Sequence, residues 1–117
     1  MSACLMIGAT ALSLATGVFD LSWTHSVEKV EWRERWRVEG GALHLTRAWV
    51  RGSGAGMEPG PEASLEDDWW VWAPRLTIPA LDLAASGATG AGWTLCADGQ
   101  CREIGTAPGE ALHLTPC

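Results

Sequence analysis

Apolar and polar residues alternate with a period of two along much of this chain, and such alternation is typical of half-buried β-strands. In the segment 18–27 the apolar residues share one face with a single histidine, His25. The segment 30–39 alternates more regularly still, with charged residues on its outer face. Its predicted inward residues are Val30, Trp32, Glu34, Trp36 and Val38. A third strand is predicted over 42–51.

Turn signals separate the predicted strands. Gly40-Gly41 and Asp98-Gly99 are each typical of tight hairpins, and an opening hairpin is predicted from Ala3–Ile7 and Ala11–Leu14. The segment Leu81–Ala85 is expected to form at most one helical turn. The pattern therefore predicts one all-β domain over residues 1–117, a small antiparallel β-sandwich or partly open β-barrel of about seven to nine short strands.

Composition supports a folded core that is built largely from tryptophan. Hydrophobic residues make up 47% of the chain and charged residues 19%, which is unlike the composition of a disordered chain. There are eight tryptophans and no tyrosine. The tryptophans expected in the core are Trp23, Trp32, Trp36 and Trp49. The run Trp69-Trp70-Val71-Trp72 places aromatic rings on both faces of one strand; core packing is the favoured interpretation for most of them, and a partner-binding surface is the alternative.

The net charge of −6 argues against nucleic acid and anionic lipid as partners. The first nineteen residues carry no charge, but no Lys or Arg precedes Lys29, and small residues dilute the stretch. A signal peptide needs a positive start and a spanning helix needs stronger hydrophobicity. An opening hairpin is the favoured interpretation, and membrane association stays open.

Cysteines 96 and 101 flank the Asp98-Gly99 turn, so they should face each other across the hairpin at disulfide distance. A disulfide between Cys96 and Cys101 is the favoured interpretation. Two alternatives are reduced thiols and a structural zinc site that would add His113 and Cys117. We predict no metal and no cofactor.

Three polar residues fall on predicted apolar faces: His25, Glu34 and Arg47. The favoured interpretation is that they are strand-end residues that reach solvent or a buried polar cluster that fixes register, and the alternative is that strand pairing brings them together as a pocket for a small organic anion. Ser26 cannot use His25 as its base, because neighbours in a strand point to opposite faces. We therefore predict no catalytic residues and no enzyme.

Residues 52–68 form one long loop rich in glycine and acids. Backbone amides at Gly54 and Gly56 could bind an anion, although no P-loop or dinucleotide motif is present. Met57 and Glu58 follow directly, and Glu58 adds negative charge where a phosphate would bind.

Several of these blocks together resemble the domain-of-unknown-function family eighteen-fifty, small bacterial proteins often encoded beside TAXI-type TRAP transporters. The blocks are Trp23-Thr24-His25-Ser26-Val27-Glu28-Lys29, Glu31-Trp32-x-Glu34, Gly52-Ser53-Gly54-Ala55-Gly56-Met57, Trp69-Trp70-Val71-Trp72 and Cys96-x4-Cys101-Arg102. The resemblance implies a non-enzymatic accessory or interaction role at a carboxylate importer, in a periplasmic or envelope-associated setting. The proposed recognition residues are His25, Ser26, Glu28, Gly54, Gly56 and Met57.

Overall fold

The computed structural model of the chain describes residues 3–24, 31–51, 62–83, 92–105 and 111–117. Within these ranges the chain forms twelve β-strands and no helix, and every strand pairing is antiparallel. The strands are β1 Ala3–Ile7, β2 Thr10–Leu14, β3 Val18–Thr24, β4 Glu31–Glu39, β5 Ala42–Arg51, β6 Ser64–Glu66, β7 Trp69–Trp72, β8 Leu76–Ile78, β9 Leu81–Leu83, β10 Trp93–Ala97, β11 Gln100–Ile104 and β12 Leu112–Pro116.

These strands form two sheets that pack against each other as a sandwich. The smaller sheet has four strands in the order β2-β1-β12-β9. The larger has eight, in the order β11-β10-β3-β4-β5-β7-β6, with β8 also paired to β5. The predicted all-β antiparallel fold is confirmed, and the sheets do not close into a barrel. The strand number exceeds the expected seven to nine because three-residue strands such as β6 and β9 give little alternation to recognise.

Both predicted tight hairpins form. Gly40 and Gly41 have φ values of 62° and 73°, and Asp98 and Gly99 have φ values of 52° and 77°. Two successive positive φ angles are what a two-residue hairpin turn with the twist of its strands requires, which explains the glycines. The opening hairpin β1–β2 also forms, around Gly8.

The core lies between the two sheets. On the larger sheet, Phe19, Leu21 and Trp36 are fully or almost fully buried, and Leu5 and Leu114 of the smaller sheet pack in the same cluster. We call this side of the eight-stranded sheet the covered face. Since each large buried side chain contributes roughly 2 kcal/mol or more, this cluster is the main source of stability.

A one-residue irregularity in β5 changes which side chains reach the covered face. Arg35 pairs with Arg47, but its neighbour Trp36 pairs with Leu45. Thr46 is therefore an extra residue that has no paired residue on β4. The Thr46 hydroxyl donates a hydrogen bond of 3.1 Å to the Arg35 carbonyl. A β-bulge of this kind shifts the alternation of the strand by one.

The bulge overturns two predictions. Leu43 and Leu45 are buried before the bulge, and Ala48 and Val50 are buried after it. Arg47 was expected on the face of Leu45 and Trp49 was expected in the core, but both lie on the opposite face of the sheet. Period-two counting failed here because it assumes an unbroken strand.

Two local predictions were also wrong. Leu81–Leu83 is strand β9, paired with β12, and not a helical turn. The predicted loop 52–68 contains strand β6, which forms a hairpin with β7. The turn between them uses Asp67 and Asp68, whose φ values are 49° and 72°. Aspartate tolerates this conformation better than most residues, so the hairpin forms without glycine.

All four cysteines are bonded. The Cys96–Cys101 disulfide joins the facing strands β10 and β11, as predicted. A second disulfide, Cys4–Cys117, was not predicted, and it joins the start of β1 to the end of β12 across 113 residues. In the structure Cys117 pairs with Cys4, so it does not join Cys96 and Cys101 as the zinc alternative requires. Two disulfides indicate a non-reducing setting.

Candidate functional site

The face of the eight-stranded sheet opposite the core is rich in arginine, and we call it the arginine face. It carries five of the eight basic residues of the chain on the adjacent strands β4 and β5. These residues are Arg33, Arg35, Arg37, Arg47 and Arg51. In a protein with a net charge of −6, this concentration makes the face electrostatically distinct from the whole.

Three of these arginines surround one tryptophan. The guanidinium carbons of Arg33, Arg35 and Arg47 lie 5.3, 5.3 and 5.8 Å from the centre of the Trp49 ring. Cations at such distances are attracted by the ring, and each contact contributes about 0.5–1 kcal/mol at an exposed site. We call Arg33, Arg35, Arg47 and Trp49 the arginine cluster.

Asp20 on β3 orients one side of this cluster. The Arg35 Nε and Nη2 atoms donate to the two Asp20 carboxylate oxygens at 2.9 and 3.1 Å. Arg33 Nη2 lies 3.6 Å from the same carboxylate. The hydrogen bond to Asp20 raises the pKa of Arg35. Burial lowers this pKa, and attraction to the Asp20 charge raises it further, so the net shift is upward. Arg35 is thus held in one orientation with three of its five N–H donors left over.

The register places like charges opposite each other. Arg35 and Arg47 are directly paired across β4 and β5, and like charges in such positions repel. Asp20 offsets the charge of Arg35. Among the described residues, Arg47 has no carboxylate within ion-pair distance. The three guanidinium groups and one carboxylate leave a local excess of about two positive charges.

The cluster borders an open groove of about 260 Å³ on the same face. Asp20, Ser22, Arg33, Trp69 and Thr94 are among the residues that line it. The Trp69 ring is covered by the Arg51 guanidinium at 4.4 Å. The side chains of Arg33, Arg35 and Arg51 are 47%, 42% and 51% exposed. The surface is therefore accessible to a ligand or partner.

Glu34, a predicted site residue, lies on the covered face. Its two carboxylate oxygens accept hydrogen bonds of 3.0 Å from the indole nitrogens of Trp32 and Trp36. The Trp32 ring in turn packs edge-on against Trp72, at 5.7 Å between ring centres. Glu34 therefore fixes two tryptophans. Because Arg47 lies on the opposite face of the sheet, these two residues do not share the predicted pocket.

The other predicted recognition residues lie outside the part of the chain that the structure describes. They are His25, Ser26, Glu28, Gly54, Gly56 and Met57. The tryptophan run 69–72, a predicted interaction surface, is divided between the two faces. Trp69 lies on the arginine face, whereas Trp70 pairs with Val50 and Trp72 with Ala48 on the other.

The alternation of β4 predicted its charges on the outer face but did not predict the cluster. The available signal was the density of arginine between residues 33 and 51, together with a tryptophan among them. The cluster could not be predicted from the alternation because the bulge at Thr46 moves Arg47 and Trp49 to the same face as Arg33 and Arg35. A bulge leaves no clear mark in the alternation of a single sequence.

Fold and site together define a class of protein: a disulfide-linked, two-sheet antiparallel domain with an exposed arginine face. None of the described residues lies in a helix that is long and apolar enough to cross a membrane. Residues 19–104 match the model of the family described as "Domain of unknown function (DUF1850)", and the chain belongs to that family. No curated protein and no solved structure matches the chain.

The matched range contains the arginine cluster and the Cys96–Cys101 disulfide. Strands β1, β2 and β12, which make up most of the four-stranded sheet, lie outside it.

Proposed function

We propose that this chain is a non-catalytic interaction domain that works in a non-reducing setting and binds its partner through the arginine face. The observation that carries the proposal is the grouping of three exposed arginines around Trp49. Arginine and tryptophan are enriched at protein interfaces and dominate their binding energy.

The scaffold supports this role because it holds the cluster rigidly. All four side chains project from the central strands β4 and β5, which the core anchors from the other side. Asp20 fixes Arg35 before any partner arrives. A preorganised surface loses less conformational entropy on binding, so a greater part of the contact energy becomes affinity.

Other observations support a choice of compartment and of partner. The two disulfides favour the periplasm or the outer side of the cell envelope over the cytoplasm. The family resemblance suggests a component of a TAXI-type TRAP transporter as the partner. A small organic anion bound at Arg35 and Arg47 is the alternative ligand, favoured by the facing guanidinium groups.

The proposal is tested by co-purification from defined components. The tagged, oxidised domain is mixed at micromolar concentration with the purified binding protein and the purified membrane subunits of a TAXI-type transporter from the same genome. We expect stoichiometric capture of one component without added substrate. Trp49→Ala should weaken the capture, whereas Arg102→Gln, a change of an exposed arginine outside the cluster, should leave it intact.

Absence of capture for every component would contradict the transporter as partner. Capture that survives Trp49→Ala unchanged would contradict the arginine face as the binding surface.

A further inference from the structure

We infer that the arginine cluster binds an extended, acidic segment of a partner protein whose carboxylates occur at alternate residues. This inference rests on the proposed function and names the chemistry of the partner. It is drawn from the charge, the spacing and the accessibility of the cluster.

The charge of the cluster calls for an anion. Arg35 and Arg47 face each other across the strands, and only Arg35 has a carboxylate partner among the described residues. A carboxylate placed between the two would accept hydrogen bonds from both and remove their repulsion. The chain as a whole is acidic, so an acidic partner would be repelled elsewhere and guided to this face.

The spacing of the arginines fits an extended segment. Arg33 and Arg35 occupy alternate positions of β4, and alternate residues of a strand lie roughly 6.5–7 Å apart. The acidic side chains of an extended segment with carboxylates at every second residue repeat at the same distance. A single small anion would engage only one of these positions at a time.

The neighbouring acids define where such a segment lies. Glu31 and Glu39, at the two ends of β4, are 50% and 66% exposed and pair with Arg51 and Arg37. Asp20 is only 15% exposed and lies beneath Arg33 and Arg35. The positive centre of the face therefore has acidic ends, which would repel a segment that is shifted along the strand.

Trp49 supplies the apolar part of the site. Its ring lies among the three guanidinium groups and can pack against the methylene groups of acidic side chains. The Thr46 bulge is what brings Trp49 and Arg47 to this face, and bulges commonly re-aim side chains at functional sites. Charge and apolar contact are thus combined in one site.

The experiment measures fluorescence anisotropy of a labelled peptide of about eight residues in which Glu and Thr alternate, so that its period matches the strand. A peptide of the same composition with its four glutamates in one block is the first control. Titrations use the oxidised domain, its Arg47→Gln variant and its Arg102→Gln variant. Circular dichroism and thermal melting check that both variants are folded.

We expect the alternating peptide to bind about threefold or more tightly than the block peptide, since only it matches the arginine spacing. Arg47→Gln should weaken binding by about fivefold, which is the loss of one charge-assisted contact. Arg102→Gln should change binding less than about twofold, because it lies outside the site. Salt at about 0.3 M should weaken the wild-type interaction, since the contacts are exposed.

Equal weakening by Arg47→Gln and Arg102→Gln would overturn the inference, because attraction would then be nonspecific. Equal binding of the two peptides would overturn the extended geometry. Displacement of the peptide by an equal concentration of succinate would identify a small-anion site instead. If a transporter component is captured and its capture survives Arg47→Gln, the proposed function stands and this inference fails.

Discussion

The two faces of the eight-stranded sheet are built from the same strands and have opposite chemistry. On β3 and β4, Phe19, Leu21 and Trp36 are at most 1% exposed. The alternate residues Arg33 and Arg35 are 47% and 42% exposed and carry charge. Neighbouring residues of a strand point in opposite directions. One short segment therefore stabilises the fold with its inward side chains and forms a candidate binding surface with its outward side chains.

The division of residues between the two faces separates stability from recognition in this domain. A change on the covered face should alter the free energy of unfolding, and a change on the arginine face should alter binding. Glu34 and Asp20 show the same division among carboxylates. Glu34 binds two indole groups next to the core, whereas Asp20 orients two arginines at the surface.

The largest expected effect comes from comparing the two disulfides. Cys4–Cys117 holds the sheet that covers the core, and Cys96–Cys101 lies beside Asp20 on the arginine face. Loop-closure entropy predicts that Cys4→Ser with Cys117→Ser costs about 5 kcal/mol, and that Cys96→Ser with Cys101→Ser costs about 2 kcal/mol. Guanidinium denaturation of the two double variants measures both losses. Equal losses would show that loop length does not determine how much each disulfide stabilises the fold.

An intermediate effect is expected from truncating matched tryptophans on the two faces. Trp36→Ala opens a cavity in the core and leaves one Glu34 oxygen without its indole donor, so it should cost about 3–5 kcal/mol. Trp49→Ala removes a half-buried ring and its arginine contacts, which should cost about 1–2 kcal/mol. Urea denaturation gives the two values. Only Trp49→Ala should weaken binding of the alternating acidic peptide in the folded protein, and the reverse order of stability losses would contradict the assignment of faces.

The smallest effect is expected from Asp20→Asn. Because Arg33 and Arg35 are more than a third exposed, loss of their ion pairs should reduce stability by less than about 1 kcal/mol. The same change raises the positive charge of the arginine face, so affinity for the acidic peptide should increase by about threefold. Thermal melting and peptide titration check the two expectations. Weaker peptide binding in this variant would show that orienting Arg35 matters more than the added charge.

Much of the fold could be predicted from the sequence because alternation and turn chemistry are local. The strand Glu31–Glu39 and the turns at Gly40-Gly41 and Asp98-Gly99 were predicted correctly for this reason. The strand β9 was missed because three residues are too few to show a period. The Cys4–Cys117 bond was missed because it depends on the pairing of β1 with β12, which are distant in sequence.

The candidate site was less predictable than the fold. Arg47 was singled out, but for the wrong face, since one unpaired residue at Thr46 reverses the alternation of everything after it in β5. Glu34 was expected in a polar network, and its actual partners are the indoles of Trp32 and Trp36. Such pairings depend on the three-dimensional register, which a single sequence does not determine.

The Cys4–Cys117 disulfide makes the main chain from residue 4 to residue 117 a closed covalent ring. A protease that cuts one connection inside the ring leaves a molecule that is still in one piece, with all its strands held by the sandwich. Two cuts are needed to release a fragment, apart from the small loop already closed by Cys96–Cys101. A nicked domain would keep its mass on a non-reducing gel and separate into pieces only after reduction of the Cys4–Cys117 bond.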